Sequence, residues 1–432
     1  MKQCLFGGFV FFLSVVSMSS AQANELVPNS GSANQYGPRI ITSSFEHQNA
    51  AVRIIIKGGA FHEPSDKRGI ARLTVAALLN PVVSKGDKNK IYDLDSRLQR
   101  LNAKVRYAVG THATVISIDA PSVSVTEALA LIVSNLTAPS LSEQSISDTL
   151  AAIRNEQFIH EPLDNYYSLQ RALYPHLFSN GSESRNGISP SLKAKDVVNF
   201  YREKYQPRNM TFVATGGIAR EGLEQVAKSR LLLPMVFDQT EGLNQEFTLT
   251  STSPQFPLKR TEFGSVRQLT WGFKGTTLFE DPAVCMVLGE LLRRQIEEVL
   301  EREIKMKFDV DGGYVLLPEQ GYFSFSVRGG GWKGVIRALK NTSTTLSSNI
   351  RDNEIKAALS SLEKQRNWLR FHPDQLADQF VQHVLAGRID TADYESLENE
   401  LETVSRSAVE SRAKELLIES NNFVVRFDPV QR

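Results

Sequence analysis

The two halves of this chain end alike, and that constrains its fold more than anything else in it. The first half closes on Asp196-Val197-Val198-Asn199-Phe200-Tyr201, a polar turn at Gln206-Pro207-Arg208-Asn209, and the apolar run Met210-Thr211-Phe212-Val213. The second closes on Ser407-Ala408-Val409, Ala413-Lys414-Glu415-Leu416-Leu417, the polar pair Asn421-Asn422 and Phe423-Val424-Val425. Each reads as an amphipathic helix, a turn and a strand. Between the halves, residues 233–257 are rich in Pro, Gln, Ser and Thr and follow no clear period, which marks a linker. The expected organisation is an N-terminal unit over 24–233, a linker over 234–257 and a C-terminal unit over 258–432.

Apolar periodicity fills in the elements. In the first half it predicts a strand over Ala51–Lys57 and helices over Gly69–Leu79 and Leu94–Leu101. Strands follow over Lys104–Val109 and Ala113–Asp119, joined at Gly110-Thr111-His112, then helices over Val125–Leu136, Ser145–Ile159 and Tyr166–Leu173. In the second half, strands are expected at Gln268–Phe273 and Tyr322–Val327. Helices are expected at Pro282–Glu303, Trp332–Leu346, Asn353–Leu369 and Gln375–Leu385. Val105, Tyr107 and Val109 alternate with Arg106 and Ala108, as in a sheet with one covered face. Strands and helices segregate, so the class is α+β, with mainly antiparallel sheets each covered on one face by helices.

The first twenty-three residues read as a secretory signal: Lys2, the apolar run Leu5 to Val16, and a small-x-small site at Ala21-Gln22-Ala23. The expected compartment is a bacterial periplasm, with no membrane anchor further on. Of the two cysteines, Cys4 falls in that segment and Cys285 remains, so no intrachain disulfide is expected after processing. Lys2 is the one charge in the segment. Of 49 Lys+Arg and 48 Asp+Glu, 48 of each sign are therefore left beyond it. Such a balance, with no basic tract, argues against nucleic acid and anionic membranes as partners.

The chemistry-bearing frame is Gly58-Gly59-Ala60-Phe61-His62-Glu63, followed by Gly69-Ile70-Ala71-Arg72-Leu73-Thr74-Val75-Ala76. With Phe200-Tyr201, Tyr205-Gln206-Pro207-Arg208-Asn209 and Gly216-Gly217, it resembles the half-size bacterial members of the pitrilysin/insulinase-type zinc peptidases. Nearly the whole chain after the signal takes part in the resemblance. It implies two homologous α+β domains facing each other across a peptide-binding chamber. It also implies a helix bearing His-x-x-Glu-His, in which the histidines hold zinc and the glutamate is the base.

At those three positions stand Arg72, Val75 and Ala76. A guanidinium offers no lone pair to a metal, and valine and alanine offer no donor at all. Glu156 matches the family's third ligand, and one carboxylate makes no zinc site. The family's arginine and tyrosine of the second domain align with Glu301 and Phe308, neither of which can donate to an oxyanion. The family's Asn-Ala pair on the substrate-binding strand aligns with Arg106 and Tyr107, where backbone pairing with an extended peptide needs no particular side chain. Arg72 either puts a positive charge in the chamber or pairs with Glu156, the latter because a buried arginine needs a partner. Glu156 and His160 share a helix face but lack a third ligand. The other histidines lie at no ligand spacing from one another and read as surface or packing residues. Gly329-Gly330-Gly331 reads as a turn, and Cys285 as an inert core thiol.

The expected protein has no cofactor and no catalysis of its own. It pairs as a heterodimer with a zinc-bearing homologous peptidase subunit, closes the chamber and helps bind peptide or unfolded polypeptide. The alternative is a stand-alone peptide-binding or scaffold protein.

Overall fold

The structure, a computed structural model, describes residues 38–79, 88–137, 141–156, 188–231, 259–262, 267–274, 281–305, 310–316, 321–328, 350–386, 399–418 and 421–428, with a few single positions and one short run between them. The signal segment, the linker and the expected helix at Tyr166–Leu173 lie outside the described residues, apart from Leu173 itself, which is helical and buried.

In the first half, β1 (Arg39–Ser44), β2 (Asn49–Ile56), β3 (Lys104–Val109), β4 (Thr114–Pro121) and β5 (Met210–Gly216) form one sheet in the order β1-β5-β2-β4-β3. In the second, β6 (Lys259–Glu262), β7 (Gln268–Lys274), β8 (Val310–Val315), β9 (Tyr322–Arg328) and β10 (Asn422–Asp428) form another in the order β6-β10-β7-β9-β8. The orders correspond strand for strand. In each sheet the first strand pairs parallel with the last, and every other pairing is antiparallel. The similar endings in the sequence thus each supply a helix followed by β5 or β10, the strand next to the parallel outer strand of its sheet.

Helices α1 (Ile70–Leu79), α2 (Lys88–Arg100), α3 (Val125–Thr137), α4 (Glu143–Glu156), α5 (Ala194–Lys204) and α6 (Arg220–Leu231) belong to the first half. The first core lies between them and one face of the sheet, where Val52, Ile54, Ile56, Ile116, Ile118 and Phe212 meet Leu73, Val75, Leu129, Ile132, Val197 and Phe200. The second half adds α7 (Pro282–Ile304), α8 (Asp352–Leu369), α9 (Pro373–Leu385) and α10 (Arg406–Leu416). Its core sets Leu269, Trp271, Phe273, Phe323 and Phe325 against Leu288, Leu292, Ile296, Ile355 and Val409.

The first sheet has a second cover that periodicity did not announce. On β2 the residues between the core positions, Ala51 and Ile55, pack with Val115 and Val213 against Leu376, Ala377, Phe380 and Val381 of α9. A helix of the second half thus lies on the first sheet, and β2 is buried on both faces. Thr215 Oγ1 donates to Pro373 O at 2.6 Å, which fixes where that helix starts.

The structure also contains elements that the pattern did not predict: β1, β6, β8 and α6. β1 is an outer strand with one buried residue, Ile41, so its alternation is faint. β8 reads Val310-Asp311-Gly312-Gly313-Tyr314-Val315, and its two central glycines leave no strand-like apolar alternation to read. Among the described residues, no helix is long and apolar enough to cross a membrane.

Candidate functional site

The frame residues of the sequence are the joint that sets α1 beneath the sheet. Where β2 ends, Thr114 Oγ1 donates to Gly58 O at 2.8 Å. Ala60 N and Phe61 N then donate to Gly110 O and Thr111 O of the β3–β4 turn, each at 2.9 Å. Gly59 is closed in by that turn: a Cβ there would lie 2.5 Å from Ala113 N and from Thr111 O. The chain passes so near the turn that only hydrogen fits.

Glu63 caps the helix that follows. Its carboxylate accepts from Gly69 N at 2.8 Å and Ala71 N at 3.0 Å, satisfying amides that a helix N-terminus leaves open. Gly69 has φ +81° and lies against Ile188. Ser189 closes the joint, with its N donating to Arg68 O and its hydroxyl to Asp66 O. Gly59, Glu63 and Gly69 of the pattern therefore each have a folding role.

On α1 itself the sequence-predicted positions are places in a packed core. Val75 is 0% and Ala76 2% exposed, and both belong to the core of the first half. Arg72 is half-buried on the same helix. Glu156 ends α4, which packs against α1, but its side chain lies outside the described residues, and the expected Arg72–Glu156 pair with it. Zinc does not fit this donor set: two of the three positions hold alkyl groups already inside a close-packed interior. Among the described residues, no group of three His, Cys, Asp or Glu side chains gathers as a metal site. Glu301 is exposed on the last turn of α7, and Phe308 lies outside the described residues.

Arg106 and Tyr107 stand on β3, the edge of the first sheet, which among the described residues pairs only with β4. Val105 and Tyr107 turn toward the core, while Lys104 and Arg106 are exposed on the other face. Arg106 Nη2 donates to Asp119 Oδ2 at 2.6 Å. The other oxygen of Asp119 accepts from Arg53 Nη1 at 2.7 Å. Arg53, on β2, is fully buried, and donates also to Asp378 Oδ1 at 2.7 Å and Asp374 O at 2.8 Å. Burial opposes its charge, but Asp378 and Asp119 outweigh that and hold the guanidinium above its ordinary value.

Two histidines come together that spacing did not connect. His62 and His112 flank Phe61, with ring centroids 6.1 and 6.3 Å from it. Burial, then the charges of Lys204 and Lys57 against that of Glu203, pushes His62 down to about 4. Burial, then His62, does the same to His112. Both are neutral packing groups at neutral pH. Sequence reasoning also missed Arg53 and its carboxylates. The available signal was one charge inside Ala50-Ala51-Val52-Arg53-Ile54-Ile55-Ile56, which a buried strand tolerates only with acidic partners.

Known proteins share this architecture. Residues 191–362 match the family model described as the peptidase M16 inactive domain. Over that segment, about two fifths of the chain, this protein is similar to the M16 inactive domain. A protease from Helicobacter pylori superposes with a TM-score of 0.75 at 14% identity, covering 91% of this chain and 98% of that one. A peptidase M16 inactive domain from Pseudomonas fluorescens gives 0.71 at 15%, over 91% and 96%. The periplasmic protease PqqL from Escherichia coli gives 0.66 at 14%, over 91% of this chain and 47% of that one. At these identities the likeness is one of fold. No match was found among curated protein sequences. The M16 segment matched here is of the inactive type and spans α5 through most of α8.

Proposed function

We propose that this protein is a non-catalytic M16 subunit of the bacterial periplasm. It pairs with a zinc-bearing homologous peptidase subunit, closes the peptide chamber between them and binds extended polypeptide along β3. The observation that carries this reading is a contrast within the first half. The helix positions that would hold zinc are filled by buried Val75 and Ala76, while β3, beside α1, pairs among the described residues with β4 alone and so keeps its other backbone edge open. Export is supported by the signal-like start of the sequence and by the fold likeness to a protein described as a periplasmic protease.

An unpaired strand edge presents alternate N–H and C=O groups that an extended chain can complete. Catalysis on such a peptide would then come from the partner's zinc. The test is purification from the native host through a C-terminal tag, followed by metal analysis and peptide cleavage. Equimolar recovery of a zinc-containing homologue, with cleavage only in the complex, is the expected result. Recovery alone as a metal-free peptide binder would give the stand-alone role instead. Stoichiometric zinc on this chain by itself would overturn both.

A further inference from the structure

The exposed face of β3 carries two cations at alternate positions, Lys104 and Arg106. We infer that this edge selects extended segments bearing acidic side chains at every second residue with apolar residues between them. The inference rests on the reading of β3 as a peptide-binding edge and adds the substrate class.

Strand geometry carries the argument. Residues two apart on a strand share a face at roughly 6.6 Å separation, and a directly paired residue brings its Cβ to about 5 Å. A segment laid on β3 must therefore place one set of side chains beside Lys104 and Arg106. The alternate set then falls beside Val105 and Tyr107, which pack on the apolar core. Arg106 is 65% exposed and gives one Nη2 bond to Asp119. A guanidinium has five N–H donors, so an incoming carboxylate can still be bound. Among the described residues, no carboxylate forms an ion pair with Lys104, although the register sets it opposite Asp119. Asp119 meanwhile is shared with buried Arg53, which draws its charge inward. The face is left positive, and the side chains of an incoming strand complete it best when they are acidic.

The probes are three capped, fluorescently labelled peptides, Thr-Glu-Val-Glu-Val-Glu-Thr and its Gln and Lys analogues, titrated against the full mature chain by anisotropy. The Glu peptide is expected to bind roughly tenfold more tightly than the Gln peptide at low salt, since two exposed ion pairs contribute modestly. The Lys peptide should bind most weakly, and the gap should close near about 0.5 M salt. Lys104→Gln with Arg106→Gln should abolish the discrimination while the circular dichroism melt stays unchanged. Should the double variant lose its fold, Lys104→Gln alone is expected to narrow the gap. Equal affinity for the Glu and Gln peptides overturns the charge selection and leaves strand addition standing. Absence of binding by every peptide overturns both, and unchanged discrimination in the folded variants shows that other residues select.

Discussion

Arg53 and Asp378 stand 325 positions apart in sequence and meet at 2.7 Å. The guanidinium projects from the one face of β2 that α9 covers, and α9 comes from the other half of the chain. Asp119 from β4 and the carbonyl of Asp374 take its remaining directions. Apolar contact between sheet and helix is non-directional, so it leaves their register loosely set. A buried cation with its carboxylates placed on two different elements fixes that register, because any slip strands a charge.

Arg53→Ala is expected to destabilise the protein by about 3 kcal/mol, since it leaves Asp119 largely buried without its cation. Asp378→Ala should cost less, about 1 kcal/mol, because Asp378 is half-exposed and Asp119 still serves the arginine. Urea unfolding midpoints measure both. An Arg53→Ala variant within about 0.5 kcal/mol of the wild type would mean that apolar packing alone docks α9.

Much of this fold was legible because periodicity reports burial. The range predicted for β3 agrees with the structure residue for residue, and that for α1 differs by one position, since both elements carry clean apolar patterns. The pattern could not show that β2 is covered twice, because a run of Ala, Val and Ile looks the same whether one helix layer or two lies upon it. Arg53 alone hinted at the second layer. The candidate site was legible as a frame, since Gly59 and Gly69 stand where the backbone leaves a side chain no room or no relaxed conformation. What the frame serves was not legible: folding alone accounts for it. The pairing of His62 with His112 depends on how the β3–β4 turn returns, which no local spacing encodes.

Gly59→Ala is expected to be among the most damaging small substitutions in the chain, costing about 2–4 kcal/mol or preventing folding. Its methyl would meet backbone atoms of the 110–113 turn, which cannot move aside as a side chain would. Gly313→Ala, on the edge strand β8 with nothing within 4 Å of the new atom, should stay within about 0.5 kcal/mol. Thermal melts of the two variants side by side test this, and equal effects would mean that the joint is not close-packed.

Acid should loosen the protein through its histidines. His62 falls from an ordinary 6.5 to about 4 in the folded state, so between those values the unfolded chain binds more protons than the native one. Stability is then fully present above pH 6.5, declines as the pH falls toward 4, and rises across the same window in the reverse direction. Lys204 and Lys57 disfavour the imidazolium and Glu203 favours it, while His112 is depressed beside it. The shift on His62 corresponds to a few kcal/mol. His62→Gln should flatten the dependence of the urea midpoint on pH in that window. An unaltered slope would assign the acid sensitivity to other groups.

Val75→Glu puts back the residue type that the fold's zinc enzymes are expected to carry there, and so asks what now occupies the space. In a solvated cleft a carboxylate would be tolerated nearly as well as alanine. In this structure Val75 is 0% exposed, with Leu73 and Ala76 beside it in the core. Val75→Ala should cost about 1–2 kcal/mol for the lost methyl groups and the small cavity. Val75→Glu should cost well over 3 kcal/mol, because the carboxylate must either be buried as an ion or take up a proton and still lack a partner. Arg72→His, at a half-buried position of the same helix, should fall within about 1 kcal/mol of the wild type. Denaturant midpoints for the three variants give the ranking. If Glu proves no worse than Ala at position 75, water reaches this face of α1, and the packed-core argument against zinc chemistry fails with it.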